Sequence, residues 1–480
     1  MNENKENAIK YIDGISDKII EVSHKVWEYA ELSLNEFKSA DLFAEVCKEM
    51  GFELKKGICG IETAFSASYG SGKPVISILA EYDALSGLSQ KGYWPEKEPL
   101  VPGASGHGCG HNMLGAGSFG AACAVKDYLE KSGKEGTVIL FGCPGEEGGA
   151  AKAFMARDGV WKGLDCALTW HPGDTNEVST GTCNSSIQVL YKYKGVAAHA
   201  AGNPEMGRSA LDAVELLNIG VQFLREHMPS DCRIHYAIIN GGGVSPNVVQ
   251  SEASVLYMVR SVDVADSVAL QARVDKIAEG AALMTETSFE RQFIDGTANT
   301  VPNSILEKLM HGNLQYVPLP EYTEEELSFA AKVYGTYEKN GKLPGVGAQY
   351  NKEIAEEVKE KIKDCPEGLY DFVMPFYTGD EFHPGSTDVG DVSWQTPAAQ
   401  FNTVCFTADA PGHSWQNVSC GLSPIGDKGM LQAAKVLACS AIDLFEKPEV
   451  LAAAKEEFKK RIEGKTYTCP IPQGAVPTAI

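Results

Sequence analysis

Positive charge is scarce in this chain: 42 lysines and arginines stand against 64 aspartates and glutamates, giving a net charge of -22. Nucleic acid and anionic membrane surfaces attract basic proteins, so neither is expected as a partner. No apolar run approaches the ~20 residues that a membrane span requires. The first residues, Met1 to Asn7, lack the apolar stretch of a signal peptide. Thirteen cysteines, an odd number without the tight spacing of a disulfide framework, point to a reducing, cytoplasmic setting. Internal repeats and low-complexity tracts are missing as well.

At 480 residues the chain exceeds one compact core, and its 44% hydrophobic and 22% charged content is that of a globular protein, so two domains are expected. Its most informative stretch is Gly106-His107-Gly108-Cys109-Gly110-His111-Asn112, which runs straight into an apolar segment from Met113 to Leu129. The glycines let the backbone take dihedrals that aim neighbouring side chains at one point. A thiolate at Cys109 is favoured at the N-terminus of the helix that follows. The cluster reads as half of a metal site. Cys143-Pro144-Gly145-Glu146-Glu147 and Trp170-His171-Pro172 each follow another apolar run, so thiol, imidazole and carboxylate donors are all present. That mixture suits Zn or a comparable divalent ion better than Ca or Mg, which take oxygen alone.

Around these motifs the chain alternates strand and helix. Helical periodicity runs from Ala8 to Met50, Pro74 to Ala80 is a short buried strand ending in Glu81-Tyr82-Asp83, and two more buried strands, Thr137–Phe141 and Asp165–Trp170, follow the cysteine-histidine helix. This predicts an α/β catalytic domain with a mostly parallel sheet covered by helices, its polar clusters at strand C-termini, where open sheets place their sites. Near Ser185 the texture changes to a βαββαβ order, ending with a strand from Ser288 to Ile294. A ferredoxin-like unit of about one hundred residues inserted into the larger domain follows from that order. The predicted division is 1–184 with 298–480 for the catalytic domain and 185–297 for the insert. His199, among small residues, is on its own an ordinary structural histidine. Residues 317–372 read as exposed helices and loops, Thr403–Thr407 as a strand before His413, and Lys428–Phe445 as the last helix.

Taken together, Glu81 to Leu85, Gly106 to Asn112, Glu146 to Gly149, Trp170 to Pro172, Ala198-His199-Ala200 and Gly412-His413 resemble the dinuclear-metal amidohydrolases that include aminoacylase, carboxypeptidase G and the plant auxin-conjugate hydrolases. The cysteine in the motif, with Ser386 to Trp394 and Cys469 to Pro472, is similar to the p-aminobenzoyl-glutamate hydrolase branch. The resemblance implies two divalent ions, Mn or Zn. Cys109 would bridge them, Glu147 and His413 would complete one, and His111 and His171 the other. It also implies Glu146 as general base, Asp83 as the group orienting a ligand, and His199 as a lid residue reaching the partner subunit's site. Asn247 and Arg260 would meet the substrate carboxylate. The implied reaction is hydrolysis of an N-acyl amino acid, with p-aminobenzoyl-glutamate or a related folate catabolite leading and an N-acyl-amino-acid hydrolase or dipeptidase of other specificity as alternative. The implied assembly is a homodimer or a heterodimer with a homologous subunit, formed through the lid. Relatives outside the cysteine branch carry histidine where this chain has Glu81, and the role of Glu81 stays open.

Two rival readings use fewer of these residues. A thiol hydrolase would take Cys109 as nucleophile and His111 as base, but leaves the other ligands unexplained. A non-catalytic partner subunit would have little physical reason to keep Glu146 beside five ligands.

Overall fold

The computed structural model describes residues 2–479. Its strands, in chain order, are β1 (Glu53–Lys56), β2 (Phe65–Ser71), β3 (Val75–Ala80), β4 (Gly136–Gly142), β5 (Cys166–Gly173), β6 (Glu177–Ser179), β7 (Thr182–Cys183), β8 (Ser185–Lys194), β9 (Arg233–Asn240), β10 (Glu252–Ser261), β11 (Ser288–Thr297), β12 (Phe382–His383) and β13 (Ala398–Val404). Seven form one sheet in the order β1-β2-β4-β3-β5-β13-β6. The central run β4-β3-β5-β13 is parallel, while β1, β2 and β6 pair antiparallel at the two sides. Parallel strands are buried on both faces, which is why β3 and β5 read as nearly unbroken apolar runs.

The helix His111–Ser132 is the structural axis of this layer. It starts behind Gly110 and stops at Gly133, both in the left-handed region that glycine enters without strain. Phe119, Val125 and Leu129 on it are buried in the same core as β3, β4 and the helix Pro424–Glu446. Fully burying each such side chain contributes roughly 1.5–3 kcal/mol. At Gly117 a methyl group would lie 2.8 Å from the Trp170 ring, so Gly117→Ala would push the helix off β5. Trp170 is further fixed by its indole N–H, which donates to the Leu114 carbonyl at 3.1 Å.

A second sheet has the order β11-β8-β10-β9, all antiparallel, with helices Ala210–Leu224 and Val264–Thr285 packed on it around their own hydrophobic core. This is the βαββαβ order expected from the sequence. Strand β9 lies at the sheet edge, and Tyr236, Ile238 and Ile239 on it are exposed.

Three expectations are corrected. The strand expected at Thr403–Thr407 lies earlier, at β13, because the backbone of Ala398–Val404 pairs in register with β5 and leaves 405–407 to turn toward the site. The helix expected at Lys428–Phe445 begins at Pro424, capped by Ser423, and is not the last: Pro448–Ile462 follows. Residues 317–372 are not merely exposed, since Phe329, Ala330 and Val333 join the main core and Val358 and Tyr370 a small one of their own.

Candidate metal centre

The site is assembled from the C-terminal end of β5 and from chain segments that follow β3, β4 and β13. Beyond β3, Asp83 is buried and works with both oxygens: Oδ1 meets His111 Nδ1 at 2.9 Å, while Oδ2 accepts from the Glu147 N–H at 2.9 Å and the Ser33 hydroxyl at 2.8 Å. The Oδ1 contact occupies Nδ1 and leaves Nε2 as the nitrogen of His111 that faces the other donors. His171 is set the same way, its Nδ1 against the Pro172 carbonyl at 2.8 Å and its Nε2 facing Cys109 Sγ at 3.4 Å. Beyond β13, His413 sits in the left-handed region with φ 51° and brings Nε2 to 3.4 Å from Glu147 Oε1.

Two donor groups result, each within 4.8 Å atom to atom, and they share one member: Cys109, His111 and His171 form the first, and Cys109, Glu147 and His413 the second. A third grouping joins Glu81, His111 and Glu146. Buried polar atoms are almost always hydrogen-bonded, yet His111 Nε2 and Glu147 Oε1 have no hydrogen-bond partner among the described residues. Two unsatisfied atoms, one in each of the groups that share Cys109, are what a pair of bound cations would satisfy, so the residues fit the implied metals.

For His111 burial works downward, but Cys109 and Asp83 outweigh it and hold its pKa well above the ordinary value, so an ion at Nε2 would take the place of a proton. Burial, then the neighbouring charge of His111, lowers the His171 pKa to about 4, keeping a neutral imidazole able to ligate. For Asp83 burial works upward, but His111 and the hydrogen bonds it accepts outweigh that and hold it at about 2, a permanent anion. Burial and the nearby carboxylates Glu81, Glu147 and Asp388 push Glu146 well above its ordinary value. A carboxyl so raised holds a proton easily.

Residues 184–285 match the peptidase dimerisation domain family model. Over its whole length the chain is similar to a subunit of p-aminobenzoyl-glutamate hydrolase from Escherichia coli (strain K12), 42% identical with 98% of both chains covered. The chain belongs to the M20 peptidase family. Members of that family are metal-dependent amide-bond hydrolases, and this chain is a hydrolase of that kind. It is also 26% identical to the Xaa-Arg dipeptidase of Mus musculus, covering 96% of this chain and 93% of that one. Its fold is that of a dinuclear metal binding M20 family peptidase from Bacillus subtilis, with a TM-score of 0.54 at 17% identity over 90% of this chain and 99% of the other.

Other sequence-derived candidates of this M20 peptidase lie apart from the metal cluster. His199 is exposed after β8, with Nδ1 accepting from the backbone N–H groups of Ala201 and Gly202, and it joins none of the donor groups. Asn247 is exposed in the loop before β10. Arg260, on β10, reaches 3.4 Å from the Ser386 hydroxyl. The thiol-hydrolase reading is disfavoured, because burial pushes the Cys109 thiol upward and the reading leaves Glu147, His171 and His413 around Cys109 without a role.

Sequence reasoning missed Lys152 and Asp388. Lys152 is fully buried, and its ammonium contacts Glu81 Oε1 at 2.7 Å and Asp388 Oδ1. Its backbone N–H donates to Asp388 Oδ2 at 3.0 Å. The available signal was a single lysine among Ala150, Ala151, Ala153, Phe154 and Met155.

Proposed function

We propose that this M20 peptidase cleaves the amide bond between an acyl group and an amino acid, with p-aminobenzoyl-glutamate or a related folate catabolite as substrate. The observation that carries the reading is the pair of donor groups sharing Cys109, with Glu146 beside them. The identity shared with the Escherichia coli p-aminobenzoyl-glutamate hydrolase chain, over nearly all of both sequences, supports the substrate class.

Cys109, His111 and His171 would hold one ion and Cys109, Glu147 and His413 the other, Mn or Zn. Bound there, the ions would polarise the amide carbonyl and acidify water. Glu146 takes the proton from the attacking water and passes it to the departing nitrogen as the C–N bond breaks, so one carboxyl serves as base and then acid. Asp83 keeps His111 turned with Nε2 inward. Arg260 and Asn247 receive the carboxylate of the amino-acid half, Arg260 being suited to two parallel hydrogen bonds. His199 donates to the oxyanion from the partner subunit.

Residues 185–297 act as lid and dimerisation unit, and 1–184 with 298–480 as the catalytic unit. The exposed Ile219 and Phe223, with the exposed side chains of edge strand β9, support pairing there, as homodimer or with a homologous subunit. All thirteen cysteines are free, which supports a cytoplasmic setting, and no helix among the described residues is long and apolar enough to cross a membrane.

The deciding experiment measures metal content and hydrolysis of p-aminobenzoyl-glutamate, other acyl-amino acids and Xaa-Arg dipeptides, by the chain alone and mixed with a homologous subunit. Two bound ions with release of glutamate from p-aminobenzoyl-glutamate is the expected result. Turnover of dipeptides only would overturn the substrate, and no hydrolysis in any mixture would overturn the function.

A further inference from the structure

Three close contacts in the site share one spacing: Cys109 Sγ to His171 Nε2 at 3.4 Å, His413 Nε2 to Glu147 Oε1 at 3.4 Å, and His111 Nε2 to Glu81 Oε2 at 3.3 Å. Donors that sit about 2.1 Å from one four- to six-coordinate ion stand about 3–3.4 Å apart, so this is the separation of neighbouring ligands. The first two pairs already belong to the two ions of the functional reading. The third has the same spacing and involves the same unpartnered Nε2 of the fully buried His111. It is not a hydrogen bond, since Nε2 makes none among the described residues.

We propose that Glu81 is a further ligand, through Oε2, of the ion that His111 holds, and that Lys152 is the positioning residue that presents it. The proposal rests on the dinuclear reading above. A carboxylate on a rotatable stem is a poor preformed ligand. Here Oε1 is pinned by the Lys152 ammonium, so only Oε2 faces the imidazole. Lys152 cannot swing away. Its ammonium also contacts Asp388, its backbone N–H donates to the same carboxylate, and its carbonyl accepts from the Trp161 indole N–H at 2.9 Å. One buried cation shared between two buried carboxylates leaves one of them free to give charge to a second cation, and only Glu81 has an oxygen turned toward donors.

The test is cobalt(II) titration of metal-free protein, read by visible absorption and by stoichiometry, with no substrate present. A His413→Ala background weakens the second ion and isolates the first. Glu81→Ala and the isosteric Glu81→Gln should each weaken the remaining ion by at least the roughly 10–100-fold typical of supporting groups and change its absorption bands. Lys152→Met, which keeps the volume and removes the charge, should weaken the same ion less and leave the Glu147 and His413 ion unchanged in the parent protein. Far-UV circular dichroism of the metal-free variants establishes folding, and Glu81→Gln answers the question if Glu81→Ala does not fold. Unchanged affinity and bands in Glu81→Gln overturn the ligand role. Unchanged affinity in Lys152→Met, with Glu81 variants impaired, overturns the positioning role. Failure of the parent chain to bind two ions overturns instead the dinuclear reading.

Discussion

Asp83 lies against His111 with 2.9 Å between Oδ1 and Nδ1, and the same carboxylate's other oxygen receives the backbone N–H of Glu147. One buried anion therefore sets the direction of a histidine in the first donor group and the backbone of a glutamate in the second. Asp83→Asn should keep the fold but weaken both ions, by about 10–100-fold each, because the amide supplies no charge and accepts through one oxygen only. Chelator competition checks this, and loss of one ion alone would contradict the shared role.

Glu146→Gln should retain both ions and lose roughly 10²–10⁴-fold in kcat, since the amide matches the carboxylate in size but takes no proton. Metal analysis and steady-state rates on the same preparation separate binding from chemistry. Near-normal turnover would remove Glu146 from the mechanism.

Cys109→Ala should fail to hold two ions, because Cys109 is the member common to both donor groups. Cys109→Ser, with a hard oxygen in place of sulfur, should shift preference away from Zn toward Mn. Full occupancy of both positions in the alanine variant would refute the bridge.

His199→Ala should bind metal normally and be nearly inactive. Mixed with Glu146→Gln, it should regain activity in hybrid dimers, where one site combines an intact Glu146 with the partner's intact histidine. Two affinity tags isolate the hybrids, and inactive hybrids would rule out action across subunits.

Asp391 gives a prediction about pH. It is buried, and burial pushes its carboxyl up to about 7 against the hydrogen bonds from Tyr467 and Ala298. Its unfolded value is near 3.9. The folded state therefore holds the proton more tightly, and this contribution to stability is complete below pH ~4 and is lost as pH rises to about 7. In denaturant titrations, Asp391→Asn should flatten the fall in stability across that interval. An unchanged pH profile would contradict it.

Much of the site was visible in the sequence because its donors sit at or near the ends of apolar runs, with Cys109 in a glycine-rich turn, His111 opening an apolar helix and His171 near the end of β5. Asp83 was readable for the same reason, two residues past Glu81 at the end of β3. Lys152 was not, because a lysine early in a helix ordinarily points to water, and only the meeting of β3 with the loop containing Asp388 makes its place interior. The position of β13 was obscured by local propensity: Thr403 to Thr407 has the β-branched residues, but pairing with β5 selects the less distinctive Ala398-Ala399-Gln400. Helix Pro448–Ile462, rich in lysine and glutamate, buries only Leu451 and Ala454 and carries little apolar signal.

The loop before β13 touches Arg260 of the smaller sheet through Ser386 and Lys152 beside the metal cluster through Asp388, two residues later. Loops on a protein's outside normally tolerate added residues. A single insertion between Ser386 and Asp388 would displace one contact by about 3.5 Å relative to the other, more than a hydrogen bond can stretch. Length, beside the side chains of Ser386 and Asp388, is what this loop has to preserve, so a library that randomises its other side chains should yield more working proteins than one that adds a single glycine.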